Sequence, residues 1–180
     1  ATGPSARGVE VAEELNRLRP VLAALEELLS RVSIDAASVE VQRHALHAGV
    51  GFLNDVSGFA WPELYEEIAS SEAKLIVVHT MTGGRALGRQ TAPGEAMASA
   101  RRFFSMRLAE LDRAGIANRR LVLDPGMGLF LGTGATPSRE VLRGIVESLA
   151  ITPVSDCGPQ RTEVAEDALC HGRCQVAINE

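Results

Sequence analysis

An α/β protein built around a parallel sheet is what this sequence predicts, on three observations. Apolar runs end repeatedly in a polar side chain: Arg31-Val32-Ser33-Ile34-Asp35, Gly51-Phe52-Leu53-Asn54-Asp55, Leu75-Ile76-Val77-Val78-His79 and Arg120-Leu121-Val122-Leu123-Asp124. Short, β-branched-rich runs of this kind are typical of strands buried in parallel sheets. Stretches of helical periodicity alternate with the runs, which indicates right-handed βαβ units. The polar residues that close the runs, finally, fall at the rim where α/β proteins bind ligands.

Taken in order, Val9 to Leu29 reads as a helix with Val11, Leu15, Leu18, Leu22, Leu25 and Leu29 on one side, and Pro20 is expected to kink or divide it. The strand from Arg31 to Asp35 follows. Ser38 to His47 is predicted as a helix with Ser38 as N-cap and Gly49 as its stop. After the second strand, Pro62 to Ser70 suits a short helix with Leu64, Tyr65 and Ile68 inward. The segment from Thr82 to Gly94, after the third strand, has no period, and loops of that length are often functional. Glu95 to Ala114 is a long helix closed by Gly115, and Ser138 caps a last helix reaching about Leu149. No strand of similar quality is legible beyond that point. Such units leave a barrel or an open sheet, and with four clear strands a complete eight-stranded barrel, which needs roughly 250 residues, is too large for this chain.

Composition narrows the function. With 180 residues, 46% of them hydrophobic, one domain with a real core is expected. The net charge of −5 and the lack of any Lys/Arg-rich block argue against nucleic acid as a main partner. No apolar stretch approaches the roughly 20 residues of a membrane span, and the start lacks the regions of a signal peptide, so a cytoplasmic protein is expected. Cys157, Cys170 and Cys174 are an odd number, which fits free thiols in a reducing compartment better than disulfides. Cys170-His171-x-x-Cys174 lacks the paired form of a zinc site, and no metal site is assigned.

Ser33-Ile34-Asp35, Leu53-Asn54-Asp55-Val56-Ser57-Gly58 and Leu123-Asp124-Pro125-Gly126-Met127-Gly128 occur in this order, with Val77-Val78-His79-Thr80-Met81 between them and Phe130-Leu131-Gly132 after them. Together they resemble the central strands of dihydropteroate synthase, most closely its sulfonamide-insensitive members. The resemblance runs from about Gly3 to Leu149. It implies a partial TIM (β/α)8 barrel with about four parallel strands and flanking helices, residues 1–149 forming a partial pterin-binding domain and 150–180 a divergent tail. It also implies an enzyme of folate biosynthesis, a transferase that condenses 6-hydroxymethyl-7,8-dihydropterin pyrophosphate with p-aminobenzoate.

The chemistry of a pterin suits these residues. A buried carboxylate can accept from a ring N–H and an exocyclic amine together, the role the resemblance gives Asp124. An amide pairs with a mixed donor and acceptor edge, which suits Asn54, with Asp35 the matching carboxylate on the next strand. Met81 and Met127 are candidates for packing on the flat ring, with Gly128 beside them. Structural roles compete with each: Asp124 as a cap on the Pro125-Gly126 turn, Asn54 and Asp55 as strand-end hydrogen bonders, and His79 as a core histidine that orients backbone. His44 and His47 are expected to be solvated, as are Arg101, Arg102 and Arg107.

Departures from the family set further expectations. Its first strand and loop, which help bind Mg2+, have no counterpart here, and neither do its Ser-Arg-Lys motif and final Arg-x-His. Gly3 to Gly8 resembles a shortened pyrophosphate loop, with Ala6 in place of threonine, and Leu129 stands where relatives have Phe. Shortening at both ends is therefore expected, with the sheet edges at Arg31–Asp35 and Arg120–Asp124 left open and homodimerisation or other self-association as the result. Three readings stay open: the synthase, a non-catalytic pterin-binding remnant, and a pterin-dependent methyltransferase, the last disfavoured by Phe130-Leu131-Gly132.

Overall fold

The computed structural model describes residues 8–85, 88–150 and 175–176. Its centre is a parallel sheet in the order β1 (Ser33–Asp35), β2 (Phe52–Asp55), β3 (Lys74–Val78), β4 (Leu121–Asp124) and β5 (Gln175–Val176). Helices α1 (Val11–Ala24), α2 (Val39–Ala48), α3 (Tyr65–Ser70) and α4 (Glu95–Arg113) form the connections, and α5 (Thr136–Ala150) follows β4. Among the described residues no helix is long and apolar enough to cross a membrane.

Register and alternation divide the sheet into two faces. Leu53, Leu75, Val77, Leu121 and Leu123 point to one side, each 2% exposed or less, against Leu22, Ala45, Ile68, Ala100, Phe104, Leu108 and Leu111 of the helices. Ser33, Asp35, Phe52, Asn54, Lys74, Ile76, Val78, Val122 and Asp124 lie on the opposite side. Val78, Val122 and Asp124 are buried there, Ile76, Asn54, Lys74 and Phe52 half-buried, and Ser33 and Asp35 exposed. The Lys74 ammonium sits 5.8 Å from the Phe52 ring centroid on this side.

Several elements differ from the sequence expectation. Helix α1 runs unbroken through Pro20 and gives way only at Leu25, to a 3-10 stretch from Glu26 to Arg31. Pro20 and Asn16 are both exposed, so the carbonyl that proline cannot bond faces water. Because that stretch takes up Arg31, β1 is only three residues long. Ser38 does cap α2, its Oγ accepting from Val41 N–H at 3.4 Å. Ser138 does not cap α5, which starts at Thr136 with Pro137 in its first turn; its hydroxyl instead accepts from Gly128 N–H at 2.9 Å. Arg107 is not a solvated side chain: its guanidinium donates to Phe59 O, Tyr65 Oη and Glu110, tying the loop after β2 to α4.

The expected open edge at Arg120–Asp124 is corrected as well. Gln175–Val176 pairs in parallel with Val122 and Leu123, so backbone from the tail covers the middle of that edge. Two residues give too little alternation to be read from sequence. The expected boundary after residue 149 falls at the end of α5. The three cysteines, His171 and the Gly3–Arg7 part of the shortened loop lie outside the described residues.

A buried cation organises the opposite end of the sheet. Arg120, 9% exposed, donates to Ala73 O, Ile68 O and Ser71 Oγ at 2.7–3.1 Å and so holds the turn before β3 against the start of β4. Arg120→Ala would strand those carbonyls, and a loss of about 3 kcal/mol is expected. Denaturant unfolding measures it; an unchanged midpoint would show that water replaces the guanidinium. A second expectation concerns the opposite face: the 180-residue chain should self-associate through Phe52, Ile76 and the unpaired side of β1. Light scattering should give more than the monomer mass and Phe52→Lys/Ile76→Lys should lower it, whereas a compact monomer with protected β1 amides would count against this.

Candidate functional site at the strand ends

The C-terminal ends of β1 to β4 bring the sequence-predicted polar residues to one rim. Asp35 pairs with Asn54, Asn54 with Ile76 and Ile76 with Val122. Asp124 lies two residues further along β4, on the same side by alternation. Asn54 and Asp124 are two strand spacings apart and offset by two residues along the strand, roughly 12 Å in all. A flat bicyclic ring laid across β3 would meet an amide at one end and a carboxylate at the other.

These residues differ in how far the protein has already engaged them. Asp124 is 3% exposed and one of its oxygens accepts from Gly126 N–H at 2.9 Å, so the turn cap weighed against a ligand role exists. Asn54 is half-buried, and its Oδ1 is shielded from water with no hydrogen-bond partner among the described residues. Asp35 is exposed at the end of β1; partial desolvation raises its carboxyl above the usual range, and the nearby Asp55 charge adds to that. Asp55 points to the helix side, fully buried, and accepts from Ser57 N–H, Ser57 Oγ–H and Phe59 N–H at 2.7–2.9 Å. Its capacity is spent on the turn after β2, which makes Asn54 the ligand candidate of the pair.

Met81 and Met127 both pack, half-buried, on the small apolar cluster of Ala96, Leu131 and Val141. Gly128 is exposed at the turn, its N–H held by Ser138. Two loops meet above them. Met81 N–H donates to Phe130 O, Thr133 N–H to Arg89 O, and Thr91 Oγ1–H to Leu131 O. Gly132 allows this approach, because a Cβ there would collide with Thr91 Oγ1. Arg89 and the Ala92 N–H both bond Glu95, whose carboxyl is held low by that backbone hydrogen bond first and by Arg89 second.

His79 is a core residue, 1% exposed, packed at 5.4 and 6.3 Å on the rings of Phe103 and Phe104. Its Nδ1 lies 3.0 Å from Pro125 O and its Nε2 3.0 Å from Ser99 Oγ. A carbonyl only accepts, so Nδ1 carries the proton and Nε2 accepts from the serine hydroxyl. Burial holds the ring below the usual imidazole range, against the opposing effect of the Pro125 bond. Sequence reasoning missed Ser99 and Thr91, took Ser138 for a helix cap, and had Gly132 only as part of the Phe130-Leu131-Gly132 motif. Ser99 left a trace, since it shares a helix face with Ala96 and Phe103 at i−3 and i+4.

A family model described as pterin binding enzyme matches residues 1–156. The chain belongs to the pterin-binding enzyme family. The type-1 dihydropteroate synthase of Escherichia coli is 42% identical to it over 147 residues, 81% of this chain and 53% of that enzyme. The dihydropteroate synthase of Anaplasma phagocytophilum, solved with bound 6-hydroxymethylpterin-monophosphate, superposes with a TM-score of 0.69 at 26% identity, over 82% of this chain and 57% of that one. The Xanthomonas albilineans enzyme with 4-aminobenzoic acid gives a TM-score of 0.62 at 28% identity, over 84% and 52%. The sheet and helices of this pterin-binding family member are therefore part of a TIM barrel. The chain spans about half the length of the curated relatives it matches.

Proposed function

We propose that this chain carries the pterin-recognition wall of a dihydropteroate synthase, with Asp124 and Asn54 as the two polar anchors. The observation that carries the reading is the pairing, on the same side of the sheet, of a capped, buried carboxylate with an amide whose shielded oxygen has no partner among the described residues. Asp124 accepts from the donor edge of the ring in a charge-assisted contact, and the half-buried Asn54 amide meets its other end. Asp35 is the accessory acceptor beside Asn54. Met81 and Met127 line the ring, and Gly128 leaves space next to them. The substrates are a dihydropterin pyrophosphate and p-aminobenzoate, in line with the ligands of the two solved relatives.

The same reading bears on catalysis. Departure of pyrophosphate needs positive charge at the leaving oxygens, which is worth several kcal/mol in sites of this kind. Enzymes of the family use Mg2+. Among the described residues no three His, Cys, Asp or Glu side chains form a group that could hold a metal ion, so these residues do not fit the ion and no step is assigned to it. The Ser-Arg-Lys and Arg-x-His motifs that the resemblance gives to anion and p-aminobenzoate binding are absent from the 180 residues. What this chain contributes is recognition and orientation of the pterin.

Two outcomes are expected. In fluorescence titration with 6-hydroxymethylpterin, Asp124→Asn should weaken binding by on the order of 1.5–3 kcal/mol, roughly ten- to hundredfold. Equal affinity would remove the carboxylate from the site. The purified chain, given dihydropterin pyrophosphate and p-aminobenzoate, should form no measurable dihydropteroate; turnover at the rate of an intact relative would show that the anion-binding charge is supplied within these residues.

A further inference from the structure

We propose that His79 is a positioning residue for Asp124, fixing the turn that aims the carboxylate at the pterin and coupling it to helix α4; this rests on the assignment of Asp124 as the pterin acceptor. Three contacts join this residue to the turn, and a fourth, within the turn, carries their effect to the carboxylate. His79 N–H donates to Asp124 O at 2.7 Å, extending the β3–β4 ladder past the last paired residues, Val78 and Asp124. Its Nδ1–H donates to Pro125 O at 3.0 Å. Gly126, at φ +74°, lies so close to His79 O that a Cβ would collide with it. The N–H of the same glycine caps the Asp124 carboxylate, so the position of Gly126 sets that of the carboxylate oxygen it bonds.

The ring is itself fixed from the other side. Ser99 on α4 bonds Nε2, and Phe103 and Phe104 of the same helix pack on the ring. Pro125 has no N–H, so the turn gains nothing at that residue from a backbone donor bond, and its carbonyl is held by the imidazole. A buried imidazole with both nitrogens engaged and no path to substrate acts through geometry rather than through proton transfer. Rotation of the turn would cost the Nδ1 bond, the Gly126 contact and the carboxylate cap together. The same network gives α4, whose residues do not line the strand ends, an influence on pterin affinity.

Isosteric variants of the 180-residue chain separate the parts of this device. Asn at position 79 places an amide N–H where Nδ1–H was, whereas Gln places its amide near Nε2 and leaves Pro125 O without its donor. Titration with 6-hydroxymethylpterin should give His79→Asn an affinity within about twofold of the original chain and His79→Gln one at least about fivefold weaker. In an Asp124→Asn background the Asn–Gln difference should shrink below about twofold, because the charge being aimed is gone. Equal affinities of His79→Asn and His79→Gln, with Asp124→Asn weaker than both, would overturn the positioning role and leave the pterin assignment standing. The same Asn–Gln difference with and without Asp124 would mark a merely structural histidine. Unchanged affinity in Asp124→Asn itself would remove the pterin assignment and this role with it.

Discussion

Burial of one face of the parallel sheet against α1 to α4 constrains everything else in the protein. Once Leu53, Leu75, Val77, Leu121 and Leu123 are committed to the helices, a two-residue period sends Asn54, Ile76, Val122 and Asp124 to the other side. A slip of one residue in β4 would place Leu123 at the rim and Asp124 in the core, so hydrophobic burial also enforces the register of the site. The site is therefore specified by residues that never touch a ligand. Arg120 contributes from the far end, where its bonds to Ala73 and Ile68 align β3 with β4.

Carboxylates at strand ends serve the backbone before they serve a ligand. The turn after each strand exposes N–H groups that need acceptors, and Asp55 and Asp124 supply them by the same short-range geometry. The two differ in direction. Asp55 accepts from Ser57 and Phe59 and faces the helices; Asp124 accepts from Gly126 N–H and faces the rim. A residue can thus hold its loop and recognise a ring together, and the structural and ligand readings of Asp124 do not exclude each other. Asn54 is the opposite case, with a shielded acceptor that has no partner among the described residues.

Most of the fold was legible because its signals are local. Apolar runs closed by a carboxylate located β1, β2 and β4, Ser38 announced the start of α2, and the period of α4 marked its length. The motifs put Asp35, Asn54 and Asp124 at the rim for the same reason, each lying at or next to the end of a run. What was not legible depends on partners distant in sequence. Ser138 looks like a helix cap until Gly128, ten residues earlier, claims its hydroxyl. Pro20 reads as a break until its neighbours prove solvent-facing, and Arg107 reads as surface until Phe59 and Tyr65 come within reach of it. The pairing of Gln175 with Val122 joins segments more than fifty residues apart, and two residues carry no period of their own.

The rim is held together by loops as much as by strands. The segment after β3 and the segment after β4 exchange backbone and side-chain bonds at Met81, Arg89 and Thr91, and both methionines rest on the cluster of Ala96, Leu131 and Val141 shared by α4 and α5. These contacts are short-range and mutually dependent: loss of the Gly132 approach would release Thr91, and with it the carbonyl of Leu131 at the cluster's centre. The rim around Asp124 is therefore ordered by contacts within the described residues, and the cation it holds at Arg89 is committed to Glu95. In the proposed reading this divides the chemistry, because the rim can orient a heterocycle while its Arg89 charge is already neutralised by a carboxylate.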